Sequence, residues 1–193
     1  MPYYNANGST NVTFAPTSGF VGARAPDGSL YVTPQNLVTT GFWSVPTGGA
    51  SGVAAANLTG TLTETAAATV TLPVLSATSI IRVTVLWTLV NTTAGIKTMR
   101  IRLGGIGGTI HQAVGNAGTQ VAYQGQSIIF NRGATNSQLS DVATSSSSYS
   151  LHNGSIVTGA IDTSVAQTLV ITGQLPDITD SMQLQGYLVE VLG

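Results

Sequence analysis

Charged side chains are scarce in this sequence: they make up 7% of its 193 residues, against roughly 25% in an average soluble domain. A freely diffusing monomer with so few charges is poorly protected against association, so the composition favours a chain whose surface lies against partner subunits. Cysteine is absent, which excludes disulfide staples, thiolate catalysis and cysteine-ligated metal, and leaves packing and assembly as the sources of stability. Only two histidines occur, His111 and His152, and neither stands in a metal-ligand spacing such as H-E-x-x-H. The net charge is −1 and the six basic residues are scattered from Arg24 to Arg132. No field draws phosphate, so nucleic acid is not an expected partner. The opening stretch, Met1 to Phe14, has neither the basic start nor the apolar run of a secretory signal, and synthesis in a cytoplasm is the expectation. The most apolar run, Ile80 to Val90, is too short to span a bilayer and carries Arg82, so no membrane insertion is expected.

Short alternating runs rich in Val, Ile and Thr, broken by Gly, Asn and Ser clusters, fill most of the chain, and no long helical stripe is present. In Ile81, Val83, Val85, Trp87 and Leu89 the odd positions are apolar while the even positions include Arg82, Thr84 and Thr88, the pattern of a half-buried strand. Met99, Ile101 and Leu103 continue it with Arg100 and Arg102 outward, and Asn91 to Gly95 supplies a turn, so the two runs are expected to form a hairpin. Further strands are expected at Leu58 to Glu64, Thr69 to Leu75, Thr109 to Val114, Ser127 to Arg132, Ser137 to Val142, Gln167 to Thr172 and Met182 to Leu192. Many short strands at close spacing predict an all-β protein, an antiparallel jelly-roll β-sandwich in preference to a closed up-and-down barrel.

The chain divides by composition. Residues 57–193 carry the jelly-roll pattern, and the Gly-Ala-Ser stretch within 46–56 has the composition of a linker. Residues 1–45 differ from both, with scattered aromatics, four prolines and little strict alternation. They suit an extended N-terminal arm, or else a small β-subdomain. Aromatics spaced along an arm can fill successive pockets on a neighbour, because each buries a large apolar area at small entropic cost. Tyr3, Tyr4, Phe14, Phe20 and Trp43 are the candidate partner-binding anchors.

Catalytic constellations find little support. Asp177 and Asp180 fit turn capping better than a calcium loop, whose regular oxygen spacing is missing. Glu64 and Asp141 are too isolated among polar residues to nominate as a glycosidase pair, although sequence does not give their distance in space. The stretch Gly104 to Gly108 joins two strands and is followed by neither Lys-Ser/Thr nor a helical pattern, so it is read as a turn and not as a phosphate cradle. No G-x-S-x-G elbow occurs. Arg82, Arg100 and Arg102 are the one local concentration of charge, set on one sheet face where cross-strand partners or a neighbouring subunit's carboxylates could meet them, or equally on an outward solvated face. No catalytic residue, metal or cofactor is therefore expected, and the chain is read as non-enzymatic.

The run from Val21 to Thr33, VGARAPDGSLYVT, resembles segments near the start of small virion proteins of tailed bacteriophages. Lys97 to Gly105, Ile129 to Asn136 and the closing Gly186 to Leu192 are similar to β-sandwich domains of phage fibre and head-decoration proteins. This resemblance spans most of the chain through strand and turn patterns. It implies a jelly-roll domain that forms a homotrimer, made in the bacterial host cytoplasm and attached to other virion proteins by its N-terminal region. The implied role is a structural virion protein of the cement or head-fibre type. A short tail fibre recognising a host surface glycan or protein is the alternative, against which the absence of long shaft repeats counts.

Overall fold

The computed structural model describes short strand pairs within residues 1–45, residues 48–52 as backbone, and residues 57–90, 92–117, 120–141 and 154–193, the side chains of 116 and 117 excepted. The chain divides into two compact units, Met1–Val45 and Pro46–Gly193. In the first unit, β1 (Tyr3–Tyr4) pairs antiparallel with β2 (Thr10–Asn11), and β3 (Ala23–Arg24) with β4 (Leu30–Tyr31).

The second unit is an antiparallel β-sandwich, as the alternating runs predict. Its strands are β5 (Gly48–Gly52), β6 (Asn57–Thr59), β7 (Thr65–Leu72), β8 (Ile80–Val90), β9 (Ile96–Leu103), β10 (Thr109–Ala117), β11 (Ala122–Asn131), β12 (Gln138–Ser140), β13 (Val157–Gly159), β14 (Gln167–Gln174) and β15 (Ser181–Leu192). One sheet runs β13-β12-β11-β8-β15-β5, with β6 also on β15, and the other runs β10-β9-β14-β7.

β8 and β9 do not form the expected hairpin, because β8 pairs with β11 and β15 while β9 pairs with β10 and β14. Each strand buries its apolar face in the same core, β8 from one sheet and β9 from the other. The turn after β8 therefore crosses from sheet to sheet. The connection from β14 to β15 crosses in the same way, so β8–β9 and β14–β15 wrap the sandwich as one rolled ribbon. The 46–56 stretch read as a linker contains β5, paired along Tyr187 to Val191 of β15. Its Gly, Ala and Ser residues have little side chain to alternate, which hides a strand from periodicity.

Val83, Val85, Trp87 and Leu89 face Met99, Ile101, Leu103, Leu169 and Ile171 in the core, and all are at most 3% exposed. β15 keeps both halves of its length in phase by a bulge. Met182 and Leu184 are buried at even positions, the register slips between Leu184 and Gly186, and Val189 and Val191 are buried at odd ones. One extra residue rotates the strand by one side-chain step.

Candidate functional site

β9 places Lys97 in the same inward phase as Met99, Ile101 and Leu103. Its ammonium is fully buried and lies 2.8 Å from Asp180 Oδ2, whose side chain is also fully buried. Asp180 closes the β14–β15 connection and reaches back to the turn after β8. Thr92 donates to its Oδ1 from both N–H and Oγ1, at 2.8 Å each, and Thr93 donates from its N–H at 3.1 Å and from Oγ1 to Oδ2 at 2.9 Å. Burial pushes the Asp180 carboxyl up, but the Lys97 ammonium and the threonine donors outweigh it and hold the carboxyl well below the usual range. Asp180 does cap a turn, though one that lies 87 and 88 residues earlier in the chain. Asp177 caps its own, accepting from Thr179 N–H and Oγ1 at 2.8 and 2.7 Å. The Lys97–Asp180 pair thus ties together the two crossings of the rolled ribbon.

A second charged group straps the outside of the four-stranded sheet. Glu64, just before β7, takes a two-pronged contact from Arg102 through Nε and Nη2 at 2.6 and 2.7 Å, and Arg100 lies 3.4 Å away. Arg100 also donates to Gln174 Oε1, and Gln174 donates to the Leu62 carbonyl. The Arg102 hydrogen bonds hold the Glu64 carboxyl below its ordinary range against the opposing effect of burial. Thr172 and Val170, which face outward on β14, are buried beneath this strap. Arg82 belongs to the other sheet, where it meets Glu190 of β15 at 2.6 Å in register. The three arginines therefore do not share a face, since β8 and β9 lie in different sheets.

His111 sits at a bulge in β10, which turns both His111 and Gln112 inward. Its Nδ1 meets Ser140 Oγ at 2.9 Å, joining the edge of one sheet to β12 of the other. Burial lowers His111 to about 4. His111 is 1% and Ser140 4% exposed, and the ring packs near Gly159. A serine hydrolase needs its hydroxyl open to substrate and its imidazole oriented by a third group; this contact is shut inside the protein and serves as a strut. Next to it, Gln138 donates to Asn131 Oδ1 and to the Thr135 and Ile161 carbonyls, while Asn131 donates to Thr163 Oγ1 and the Ser76 carbonyl. These buried amides pin the loops at that end.

The turn at Gly104 to Gly108 also differs from a phosphate cradle. Gly104 and Gly105 both have positive φ, and both N–H groups point at the Thr168 carbonyl at 2.9 Å. Glu64 is drawn to the arginines and Asp141 follows β12, and among the described residues no group of three or more His, Cys, Asp or Glu could hold a metal ion. Of the candidate anchors, Tyr3 and Tyr4 lie in β1 with side chains outside the described residues. Phe14, Phe20 and Trp43, like His152, lie outside the described residues altogether.

Among the described residues, the outer face of the seven-stranded sheet carries no strap of the kind Glu64 provides. Leu86, Leu188 and Phe130 are 45%, 41% and 44% exposed on it. Around them stand Thr84, Gln124 and Gln126, with the Arg82–Glu190 pair as the charge at its centre. Leu86, apolar in the outward phase of β8, is the sign of this face in the sequence.

No family model and no curated protein matches this chain. Among solved structures, it is similar to the CBM2 module of the evolved Dit of Lactobacillus casei BL23 phage J-1, at 14% identity and a TM-score of 0.31, over 64% of this chain and 68% of that one. A likeness of that size is too weak to assign a function.

Proposed function

We propose that this chain is a non-enzymatic structural virion protein of a tailed bacteriophage, a homo-oligomer of the cement or head-fibre type that decorates or projects from the capsid. One observation carries the reading: among the described residues, most of the few charged groups are spent on holding the fold. Glu64, Asp180 and Glu190 are paired with arginines or lysine, and Asp162 and Asp177 each cap a local turn. A catalytic carboxylate or imidazole has to be accessible and poised for proton transfer near the working pH, and Lys97, Asp180 and His111 are instead buried at structural junctions. What remains on the described surface of the sandwich is weakly charged, which suits assembly better than turnover.

In this reading the first unit, residues 1–45, supplies attachment through Tyr3, Tyr4, Phe14, Phe20 and Trp43, and other virion proteins are the partners. The test is a phage from which the gene is deleted. Particles lacking a decoration protein adsorb to host cells normally but lose DNA under osmotic or thermal stress. Intact particles that fail to adsorb would instead assign the chain to a short tail fibre, and unchanged particles would remove it from the virion.

A further inference from the structure

We propose that the outer face of the seven-stranded sheet is the surface through which one copy of the chain packs against another. The inference rests on the oligomeric part of the function proposed above and names the surface that carries it.

The two outer faces of the sandwich differ in kind. On the four-stranded sheet, Glu64, Arg100, Arg102 and Gln174 lie across β9 and β14 and already bury Val170 and Thr172. On the seven-stranded sheet, Leu86, Leu188 and Phe130 remain more than 40% exposed. Its strands, at about 4.8 Å spacing and about 3.4 Å per residue, present roughly 750 Å² in projection. A face of that extent is large enough to hold the ~800 Å² of accessible surface per partner that a stable protein interface buries.

The chemistry of the face selects a second copy. Its central charges, Arg82 and Glu190, lie 2.6 Å apart and neutralise each other, so covering them strands no unpaired charge. A strongly charged partner finds nothing there to complement. Around the pair stand hydroxyl and carboxamide groups, Thr84, Gln124 and Gln126. A hydroxyl or carboxamide both donates and accepts, and although Gln126 Nε2 already reaches Thr84 Oγ1 at 3.4 Å, the exposed Gln124 carboxamide can pair with its own copy. Leucine and phenylalanine between them supply the apolar area that association removes from water.

The test uses the full chain, with mass measured by light scattering across the micromolar range. The wild type is expected to run as an oligomer. Leu86→Glu combined with Leu188→Glu is expected to fall to monomer mass with an unchanged circular dichroism spectrum, whereas Thr71→Glu, exposed on the strapped sheet, keeps the oligomer. A second measurement is independent of these variants. Because the chain has no cysteine, Gln124→Cys carries a single thiol, and its labelling by a thiol reagent should be slow where the oligomer is populated and speed up on dilution, while Thr71→Cys labels fast throughout. Retention of oligomer mass by the double variant, or fast labelling at Gln124→Cys in the oligomer, would overturn the surface and leave the oligomer standing. A wild-type monomer at every concentration would overturn both, with the virion role still decided by the deleted phage.

Discussion

Asp180→Asn is the substitution with the most to say about how this sandwich is held. Asparagine keeps the shape of the side chain and one carbonyl oxygen, which can stay at the Oδ1 position and go on accepting from Thr92 N–H, Thr92 Oγ1 and Thr93 N–H. What changes is the other atom, which lies 2.8 Å from Lys97 Nζ. An amide NH₂ there leaves the ammonium buried, charged and unpaired, and the loss of one partner from a buried ion pair costs about 3–5 kcal/mol. Against a total stability of about 5–15 kcal/mol, that is a large share. The reverse change, Lys97→Met, should cost less, because Asp180 keeps all its threonine donors and methionine fills the lysine's volume. The double variant Lys97→Met/Asp180→Asn should be more stable than Asp180→Asn alone, since it removes the orphaned charge. Urea denaturation followed by circular dichroism measures all three. If Asp180→Asn lies within about 1 kcal/mol of wild type, or if adding Lys97→Met recovers nothing, the pair is not desolvated as described.

Stability should fall as pH drops from about 6.5 toward 4, because His111, lowered from 6.5 to about 4, refuses a proton that the unfolded chain takes up. The effect is about 3 kcal/mol over the window, and denaturation midpoints at pH 7 and 4.5 should show it in wild type but not in His111→Gln; the paired carboxylates Glu64, Asp180 and Glu190, all held low, add their own loss at still lower pH. Arg102→Lys should destabilise by about 1–2 kcal/mol in the same denaturation assay, since a lysine cannot make the two-pronged contact with Glu64. Residues 46–193 expressed alone should fold and oligomerise yet fail to bind particles that lack the subunit. Binding equal to that of the full chain would take attachment away from Tyr3, Tyr4, Phe14, Phe20 and Trp43.

The long strands were legible because their residues alternate cleanly: β8 and β9 each bury one apolar set and leave the other phase half-buried or exposed. The pairing of those strands was not. Alternation says which side of a strand is buried and nothing about which strand lies beside it, so β8 and β9 read as a hairpin although the core separates them. Lys97 shows the same limit in another form. Its inward position follows from the phase of Met99 and Ile101, yet a buried lysine is credible only with its partner, and Asp180 lies 83 positions away in the numbering. Glu64 likewise falls in the run expected as a strand from Leu58, whereas the paired residues there are Asn57–Thr59 and Glu64 stands between β6 and β7, in contact with Arg102 and Arg100. Gly48–Gly52 and Val157–Gly159 pair as strands through their backbones, a signal that side-chain periodicity does not carry.

The central proposal, that this chain is a structural part of a phage particle, is tested most directly by counting it there. Purified particles, analysed by mass spectrometry against the major capsid protein as an internal standard, should contain the chain in hundreds of copies. A few to a few dozen would move it to the tail, and its absence from particles purified to constant composition would contradict the proposal.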